Sequence, residues 1–164
     1  MQRKQGGFSL IEVLVTLIII SIGMMGIIGM QLMSAKNVNN AEQRSLATYF
    51  IYDMSERMRA NPTGLAAGSY DAITGSETNP GNDCSAACSA TDLAAYDAFI
   101  WNDMINNSIA NNTGSSPRGL GASASGAVTK AGDLYTIEVS WREQDRYIYA
   151  NASDTSSLSV QFEL

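Results

Sequence analysis

The chain has 164 residues, a formal net charge of −6 and no histidine, and 45% of its residues are hydrophobic, as in an ordinary folded domain. The lack of histidine excludes Ser-His-Asp and Cys-His nucleophiles and histidine-ligated metals. An acidic chain without clustered lysine or arginine is a poor candidate for nucleic-acid binding, because phosphate contacts need clustered cations. No glycine-rich nucleotide motif occurs, so we expect no cofactor, no metal and no catalytic residue.

The N-terminal segment is an apolar stretch long enough to cross a membrane. Residues 1–7 are polar and positively charged, and Glu12 is the single charged residue from Phe8 to Met33. At ~1.5 Å per residue a helix over this stretch is roughly 39 Å long, and the hydrocarbon core is ~30 Å thick. Arg3 and Lys4 favour a cytoplasmic N-terminus. A secretory signal peptide fits less well. Signal peptides have a shorter apolar region than this one, and they end in a small-x-small cleavage site that is not found directly after this stretch.

The start of this stretch has a family resemblance. Gly7-Phe8-Ser9-Leu10-Ile11-Glu12-Val13-Leu14-Val15 resembles the class III signal of type IV pilins and type II secretion pseudopilins. The resemblance implies that a prepilin peptidase cleaves between Gly7 and Phe8 and that Phe8 is then N-methylated. Residues 1–7 would be the leader peptide, and residues 8–33 would stay as the transmembrane stem.

Glu12 is a carboxylate inside an apolar segment. Such a group costs on the order of 2.5–3.5 kcal/mol at the centre of a membrane, and it usually faces a partner. The resemblance implies that the partner is the free α-amino group of Phe8 in a neighbouring subunit, which gives Glu12 a role in assembly. The other interpretation is an interfacial glutamate that reaches the lipid headgroups, since it lies four residues after Phe8.

Three glycines, Gly23, Gly26 and Gly29, lie in the second half of the stretch. Each costs a helix about 0.5–1 kcal/mol relative to alanine. They form either a packing face of small residues or, as the resemblance implies, a segment that unwinds inside a fibre.

Helical periodicity continues beyond the membrane. One apolar stripe on a helix consists of Ala47, Phe50, Ile51, Met54 and Met58. Asn61 before Pro62 ends the helix, because the residue before a proline is pushed out of the α region. We expect residues 34–61 to be the periplasmic half of the helix and to bury this stripe against a globular head, residues 62–164, in the lollipop shape of a pilin.

The end of this helix resembles one particular group within the pilin family. Glu56-Arg57-Met58-Arg59-Ala60-Asn61-Pro62 resembles the PilV type of minor pilin, the type IV pilus modification proteins. Taken alone, Glu56, Arg57 and Arg59 are most simply a solvated helix end, with the cations near the negative end of the helix dipole. A specific partner contact is the alternative.

Cys84 and Cys88 are the two cysteines of the chain and lie in a segment rich in small polar residues, where Tyr70 and Ile73 are the expected inward anchors. A head exported to an oxidising compartment allows the cysteines to pair, so we expect a disulfide that braces a small loop. A metal site would need two more ligands, and a redox motif would have the spacing C-x-x-C.

A short helix is predicted over 91–106, with Thr91 as its N-cap. Its predicted inward face consists of Leu93, Tyr96, Ile100 and Met104, with Trp101 at the edge. Residues 106–126 are rich in Asn, Ser and Gly and are predicted to form a loop.

The last forty residues predict an antiparallel sheet. Apolar and polar side chains alternate from Tyr135 to Trp141 and from Leu158 to Leu164, which is typical of half-buried strands. Arg146 to Ala150 is another candidate strand. We therefore expect an α+β fold in which a meander of three or four strands packs on the long helix and Trp141 is a core residue.

The resemblance implies a minor pilin that is made as a prepilin and held in the bacterial inner membrane, with its N-terminus in the cytoplasm and its head in the periplasm. It would then enter an extracellular type IV pilus. The implied partners are other minor pilins, the major pilin, prepilin peptidase, the inner-membrane assembly platform and a tip adhesin. The PilV-like part implies that the chain primes pilus assembly and helps to present the adhesin.

Other functions stay open at this point. A type II secretion pseudopilin has the same stem but pushes cargo through an outer-membrane channel. A receptor for DNA or a host surface is also possible; the acidic balance disfavours DNA, although Arg142 and Arg146 could form a local basic patch. An enzyme is not expected, because Asp97 and Asp103 have no supporting constellation of residues.

The class III signal predicts the mass of the mature protein. The intact mass should lack residues 1–7, include one added methyl group and be lower by two hydrogens for the disulfide, which return on reduction. A chain that keeps residues 1–7 in cells with an active prepilin peptidase would contradict the signal.

Overall fold

A computed structural model describes residues 7, 9–81, 83–106, 119–121, 123–142 and 155–163. The fold is α+β, as predicted, with a long N-terminal helix and an antiparallel sheet. It divides into two units, residues 1–41 and 42–164. In chain order the elements are α1 (Leu10–Ala60), α2 (Pro62–Ala66), β1 (Ala72–Ile73), α3 (Ala90–Asn106), β2 (Ser125–Ala131), β3 (Leu134–Arg142) and β4 (Thr155–Glu163).

The first unit contains the apolar part of α1. All its side chains from Leu10 to Val38 are exposed, and the helix is continuous through its three glycines. The hydroxyls of Thr16 and Ser21 donate to helix carbonyl oxygens at 2.8 and 2.7 Å, so the helix satisfies these polar groups itself. By length and composition, α1 could cross a membrane. Whether the glycines pack or unwind in a fibre stays a prediction.

The second unit begins with the remainder of α1, which supplies a large part of the core. The predicted apolar stripe is confirmed, because Ala47, Phe50, Ile51, Met54 and Met58 are all fully buried. Tyr70 and Ile73 are buried as well, as predicted.

The long helix ends at Ala60, as the following proline predicted. Asn61 has φ −121° and ψ 66°, which is outside the α region. Its side chain accepts a hydrogen bond from the Gly64 amide at 3.1 Å and caps the short helix α2, whose first residue is Pro62. This short helix was not predicted.

The described strands pair in chain order as an antiparallel meander, β1-β2-β3-β4. In the register Val128 pairs with Ile137, and Ile137 pairs with Val160. The predicted alternation in β3 is confirmed, since Tyr135, Ile137, Val139 and Trp141 are buried. In β4 the same alternation holds, but Leu158, Val160 and Phe162 are only half-buried.

Two strands were not predicted individually. β1 has two residues, and β2, with the sequence SGAVTKA, has too few large apolar residues to show a clear alternation. The predicted loop therefore extends too far, because its residues 125 and 126 belong to β2. The candidate strand from Arg146 to Ala150 and the terminal Leu164 lie outside the described residues.

The helix α3 differs from its prediction at its N-terminus. It begins at Ala90, and the assignment of Thr91 as N-cap is wrong. Ser89 caps the helix: its Oγ accepts a hydrogen bond from the Asp92 amide at 3.1 Å and donates to the Asp92 carboxylate at 2.7 Å.

The predicted inward face of α3 is also wrong. Leu93, Tyr96, Ile100 and Met104 are only half-buried. The buried residues are Ala94, Asp97, Ala98, Trp101, Asn102 and Ile105. Small alanines allow the helix to approach the core closely, and the two polar residues are buried because each has hydrogen-bond partners there.

Strand β2 passes close to α3 at Gly126. The Gly126 amide donates to Asn102 Oδ1 at 2.8 Å. A Cβ added to Gly126 would collide with the Trp101 indole ring and would lie 2.7 Å from Ile105 Cδ1. Glycine is needed here because there is no room for a side chain.

Gly126→Ala should lower the free energy of unfolding by about 1–3 kcal/mol, because the buried Trp101 ring has to move. Denaturant unfolding of the full chain in detergent, followed by tryptophan fluorescence, measures this. Gly23→Ala is the control, since an added Cβ meets nothing within 4 Å there. Equal stability of the Gly126→Ala and control proteins would contradict this packing.

Candidate functional site

The predicted processing site precedes α1. Gly7 is exposed and lies outside regular secondary structure, whereas Phe8 falls outside the described residues. The Ser9 carbonyl oxygen accepts hydrogen bonds from the amides of Glu12 and Val13 at 3.0 and 3.3 Å, and these bonds begin the helix. The helix thus starts directly after the predicted cleavage position.

Glu12 lies in the first turn of α1 with its side chain exposed. A carboxylate in this turn is stabilised by the positive end of the helix dipole. Among the described residues from Leu10 to Ala35, it is the sole charged side chain. The helix therefore presents one anionic group at the start of a long apolar surface.

This apolar surface of α1, from Leu10 to Met33, is the first candidate functional feature. Its large side chains are about half to four-fifths exposed, with Leu10 at 87% and Val15 at 47%. Soluble proteins rarely expose contiguous apolar patches larger than a few hundred Å², so lipid or other helices must cover it. Such a surface packs against lipid or apolar helices, and Glu12 is the charged group at its start.

The second candidate feature is a buried polar network in the second unit, which joins α1 to α3. Arg57 Nε donates to Asp53 Oδ2 at 2.8 Å, and Arg57 Nη1 donates to Asp97 Oδ1 at 3.1 Å. The Tyr70 hydroxyl donates to the other oxygen, Asp97 Oδ2, at 2.8 Å. Asn61 Nδ2 donates to the Tyr70 hydroxyl at 3.1 Å. Both carboxylate oxygens of Asp97 therefore have donors.

Asp97 is 7% exposed, and a carboxylate this deeply buried is strongly destabilising without partners. Arg57 supplies the compensating charge, so the prediction of a solvated helix end is wrong for this residue. It holds for Arg59, whose guanidinium pairs with Glu56 at 2.7 Å and is exposed.

The network sets the protonation states of its own members. Burial disfavours the charged form of Arg57, but hydrogen bonds to Asp53 and Asp97 and their charges outweigh burial and raise its pKa. Burial raises the pKa of the Tyr70 phenol well above its ordinary value; the hydrogen bond from Asn61 opposes this rise and Asp97 adds to it. Tyr70 therefore stays protonated and remains a donor at physiological pH.

A second set of polar contacts fixes the loop before α3. Asn102 Nδ2 donates to Glu77 Oε2 at 2.9 Å. Glu77 in turn accepts from the amides of Thr74 and Gly75 at 2.6 and 3.0 Å.

Elsewhere on α3, Trp101 Nε1 donates to the Phe50 carbonyl oxygen at 2.8 Å, so Trp101 is a core residue and not at the edge.

The predicted disulfide between Cys84 and Cys88 is present, with the two Cα atoms 5.3 Å apart. The neighbouring Asp83 Oδ1 accepts a hydrogen bond from the Ser85 amide at 3.0 Å, which lowers the pKa of Asp83. Cys84 has a positive φ of 53°, in the left-handed region. The bridge closes a loop of only a few residues and braces it locally.

Sequence reasoning identified Glu12 and the cysteines but missed the network. Asp97 was considered only as a catalytic carboxylate, whereas in the structure it is a buried hydrogen-bond acceptor for residues 27 and 40 positions away. The polar residues of α3 at a helical spacing, Asp97 and Asn102, were the available signal, but the larger apolar residues on the other face outweighed them.

Comparison with known proteins gives two family matches. Residues 29–99 match the family described as type IV pilin Tt1218, and residues 2–28 match the prokaryotic N-terminal methylation motif. No curated protein and no solved structure matches the chain. The first match includes Arg57, Tyr70 and Asp97, and the second includes Glu12 and the predicted cleavage position.

Tyr70→Phe should lower the free energy of unfolding by about 1–3 kcal/mol, because Asp97 loses a buried donor. The raised pKa adds a pH dependence: the stabilisation is full below the unfolded-state pKa of about 10 and is lost as pH rises through the folded-state pKa. Unfolding of the full chain should therefore show that wild-type stability falls more steeply above about pH 10 than that of the variant.

Tyr49→Phe is the control for this experiment, because Tyr49 is 51% exposed. Burial also raises the pKa of Tyr135, which is common to all three proteins. Parallel curves for the wild type and Tyr70→Phe between about pH 9 and 11 would show that Tyr70 is not held in its protonated form by the fold.

Proposed function

This chain is a type IV pilin with a class III signal, and on that premise we propose that it is a minor pilin of the PilV type, which primes pilus assembly. In this role it joins other minor pilins and the major pilin and helps to present a tip adhesin. The observation that carries the proposal is the exposed apolar surface of α1, with Glu12 at its start, most of which lies within the match to the methylation motif.

Processing comes first in the proposed sequence of events. The class III signal and the apolar helix fit a membrane-anchored pilin. We propose that prepilin peptidase removes residues 1–7 at the cytoplasmic face of the inner membrane and that Phe8 is then N-methylated. Residues 8–33 hold the chain in the membrane, residues 34–61 continue the helix in the periplasm and residues 62–164 form the head.

Assembly then transfers the apolar surface of α1 from lipid to neighbouring helices. Both surroundings are apolar, so the transfer does not expose the surface to water. Glu12 is not equally suited to both surroundings, because a carboxylate among apolar groups needs a cation. We propose that the cation is the α-amino group that cleavage leaves on Phe8 of the adjacent subunit. Only processed chains can supply it, which makes assembly depend on cleavage.

The segment from Glu56 to Pro62 supports the PilV type through its sequence alone, and its contacts give it a structural role in the head. Arg57 links α1 to α3, and Asn61 both caps α2 and donates to Tyr70. The segment therefore determines how the long helix ends and where the chain continues. The presence of Glu12 fits a subunit that has another subunit stacked above it.

A clean deletion strain tests this function, with pilus retraction blocked and type II secretion measured in parallel. A minor pilin that primes assembly predicts few or no surface pili and normal secretion, and the wild-type gene should restore the pili. Normal pili with lost secretion would identify a type II secretion pseudopilin instead. Normal pili with normal secretion would contradict both roles.

Glu12→Ala should leave cleavage and methylation intact but reduce the amount of the chain in sheared pili at least tenfold, because the neighbouring amine loses its partner. Glu12→Gln keeps the shape without the charge and should behave in the same way. Mass spectrometry of membrane and pilus fractions measures both steps.

Glu138→Gln is the matched control, since Glu138 is an exposed carboxylate on β3 in the head. It should enter pili at the wild-type level. Wild-type incorporation of Glu12→Ala would show that the carboxylate does not pair with the amine.

A further inference from the structure

We infer that the outer edge of β4 binds an extended peptide segment of another protein, which adds a strand to the sheet and places its side chains in a cleft between β4 and α1. The inference concerns the head alone and goes beyond the proposed function. The cleft is defined by two rows of residues: Arg44, Thr48 and Tyr52 on α1, and Ser156, Leu158 and Phe162 on β4.

The first observation concerns the outer edge of β4, which has no partner strand in the described part of the chain. β4 pairs with β3 along all nine of its residues, and no described strand pairs with its other side. The amide and carbonyl groups of alternate residues therefore point outward over about 30 Å. Strands at sheet edges are usually protected by short length, lysine, proline or a bulge. β4 has no lysine or proline, and Glu163 at its end is its single charge.

The opposite edge of the sheet is much shorter than the edge formed by β4. It is formed by β1, which has only two residues. A two-residue edge offers too few outward groups to hold a further strand, and short length is one of the usual protections of an edge. Strand addition is therefore favoured at β4.

The second observation is an incomplete core beneath this edge. In the register, Val139 pairs with Leu158 and Ile137 pairs with Val160. The β3 member of each pair is fully buried, whereas the β4 member is half-buried. The core thus thins out at β4, and apolar side chains of an added strand would complete it.

The third observation comes from α1. Arg44, Thr48 and Tyr52 are spaced by four residues and so lie on one face of the helix. The Tyr52 ring is 54% exposed and meets the Phe162 ring edge-on, with the centroids 6.2 Å apart. Thr48 lines the same cleft one turn earlier. An exposed tyrosine beside a half-buried phenylalanine is a surface typical of protein interfaces.

The fourth observation is a cavity at the other end of the cleft. It has a volume of about 360 Å³ and is lined by Arg44, Thr48, Trp141, Ser156, Ser157 and Leu158. Trp141 is 2% exposed, yet its indole Nε1 has no hydrogen-bond partner among the described residues. Because Nε1 is itself buried, the cavity offers an incoming segment space for a side chain and not a hydrogen-bond donor from the indole.

These four observations define the chemistry of the occupant. It is an extended segment with few charges, because its backbone pairs with β4. It carries apolar side chains at alternate positions, which rest on Leu158, Val160 and Phe162. At the Ser156 end of β4, one of the segment's side chains enters the cavity lined by Thr48 and Leu158.

The test uses a synthetic peptide of alternating threonine and valine with a C-terminal carboxylate, a fluorophore at its N-terminus, and the full chain in detergent. Fluorescence anisotropy measures binding, and hydrogen exchange followed by mass spectrometry locates it. We expect saturable binding and new amide protection in residues 155–163. A random-order peptide of the same composition should bind at least tenfold more weakly, since its apolar side chains do not alternate.

The test variant is the double substitution Ser159→Lys and Gln161→Lys, which places two cations on the exposed face of the edge strand. It should weaken binding at least tenfold. Glu138→Lys, on the same face of the central strand β3, is the matched control and should bind as the wild type does. Tryptophan fluorescence shows that each variant is folded.

Three results would overturn the inference. One is a lack of peptide binding by a monomeric wild-type chain, which would show that the edge is already covered by the chain itself. Another is equal binding by all variants, or protection outside β4. The third is a dimer, seen by light scattering, that the peptide does not dissociate, which would make a second copy the occupant. None of these results depends on the number of pili in the deletion strain.

Discussion

The apolar surface of α1 from Leu10 to Met33 cannot remain in water, and this constraint governs the rest of the molecule. A helix with such a surface is stable in lipid or among similar helices. Its hydroxyl groups are satisfied by helix carbonyl oxygens, so they are compatible with either environment. Glu12 is the exception, because nothing on the apolar surface can neutralise it. The proposed pairing with the Phe8 α-amino group of an adjacent subunit supplies that charge.

The second part of α1 meets the opposite requirement, since it must be held by the head of its own chain. Its apolar stripe is buried in the core, and the network around Asp97 determines how α1 and α3 are oriented within the head. Salt bridges of this kind add little net stability, because desolvation offsets the attraction between the charges. Removing one member is costly, however, so the network penalises any arrangement in which Arg57, Tyr70 and Asp97 do not meet. We regard it as the feature that fixes the rotation of α3 relative to α1 within the head.

The sequence alone predicted the features that depend on local patterns. The stripe from Ala47 to Met58, the end of α1 before Pro62 and the alternation in β3 each follow from spacing or from one residue type. The orientation of α3 does not, because a buried polar residue is stable only through partners elsewhere in the chain. Asp97 depends on Arg57, which is 40 residues away. β2 was missed for a related reason, since Gly126 is selected by its contact with Trp101 and not by strand propensity.

The most direct measurement is the ratio of this chain to the major pilin in sheared fibres, by quantitative mass spectrometry with isotope-labelled peptides from both proteins. A minor pilin that primes assembly predicts processed chains at a few copies per fibre, and a ratio that falls as the mean fibre length rises. A constant ratio close to one would identify a bulk fibre subunit. Complete absence of the chain from fibres that assemble normally would contradict its place in the pilus.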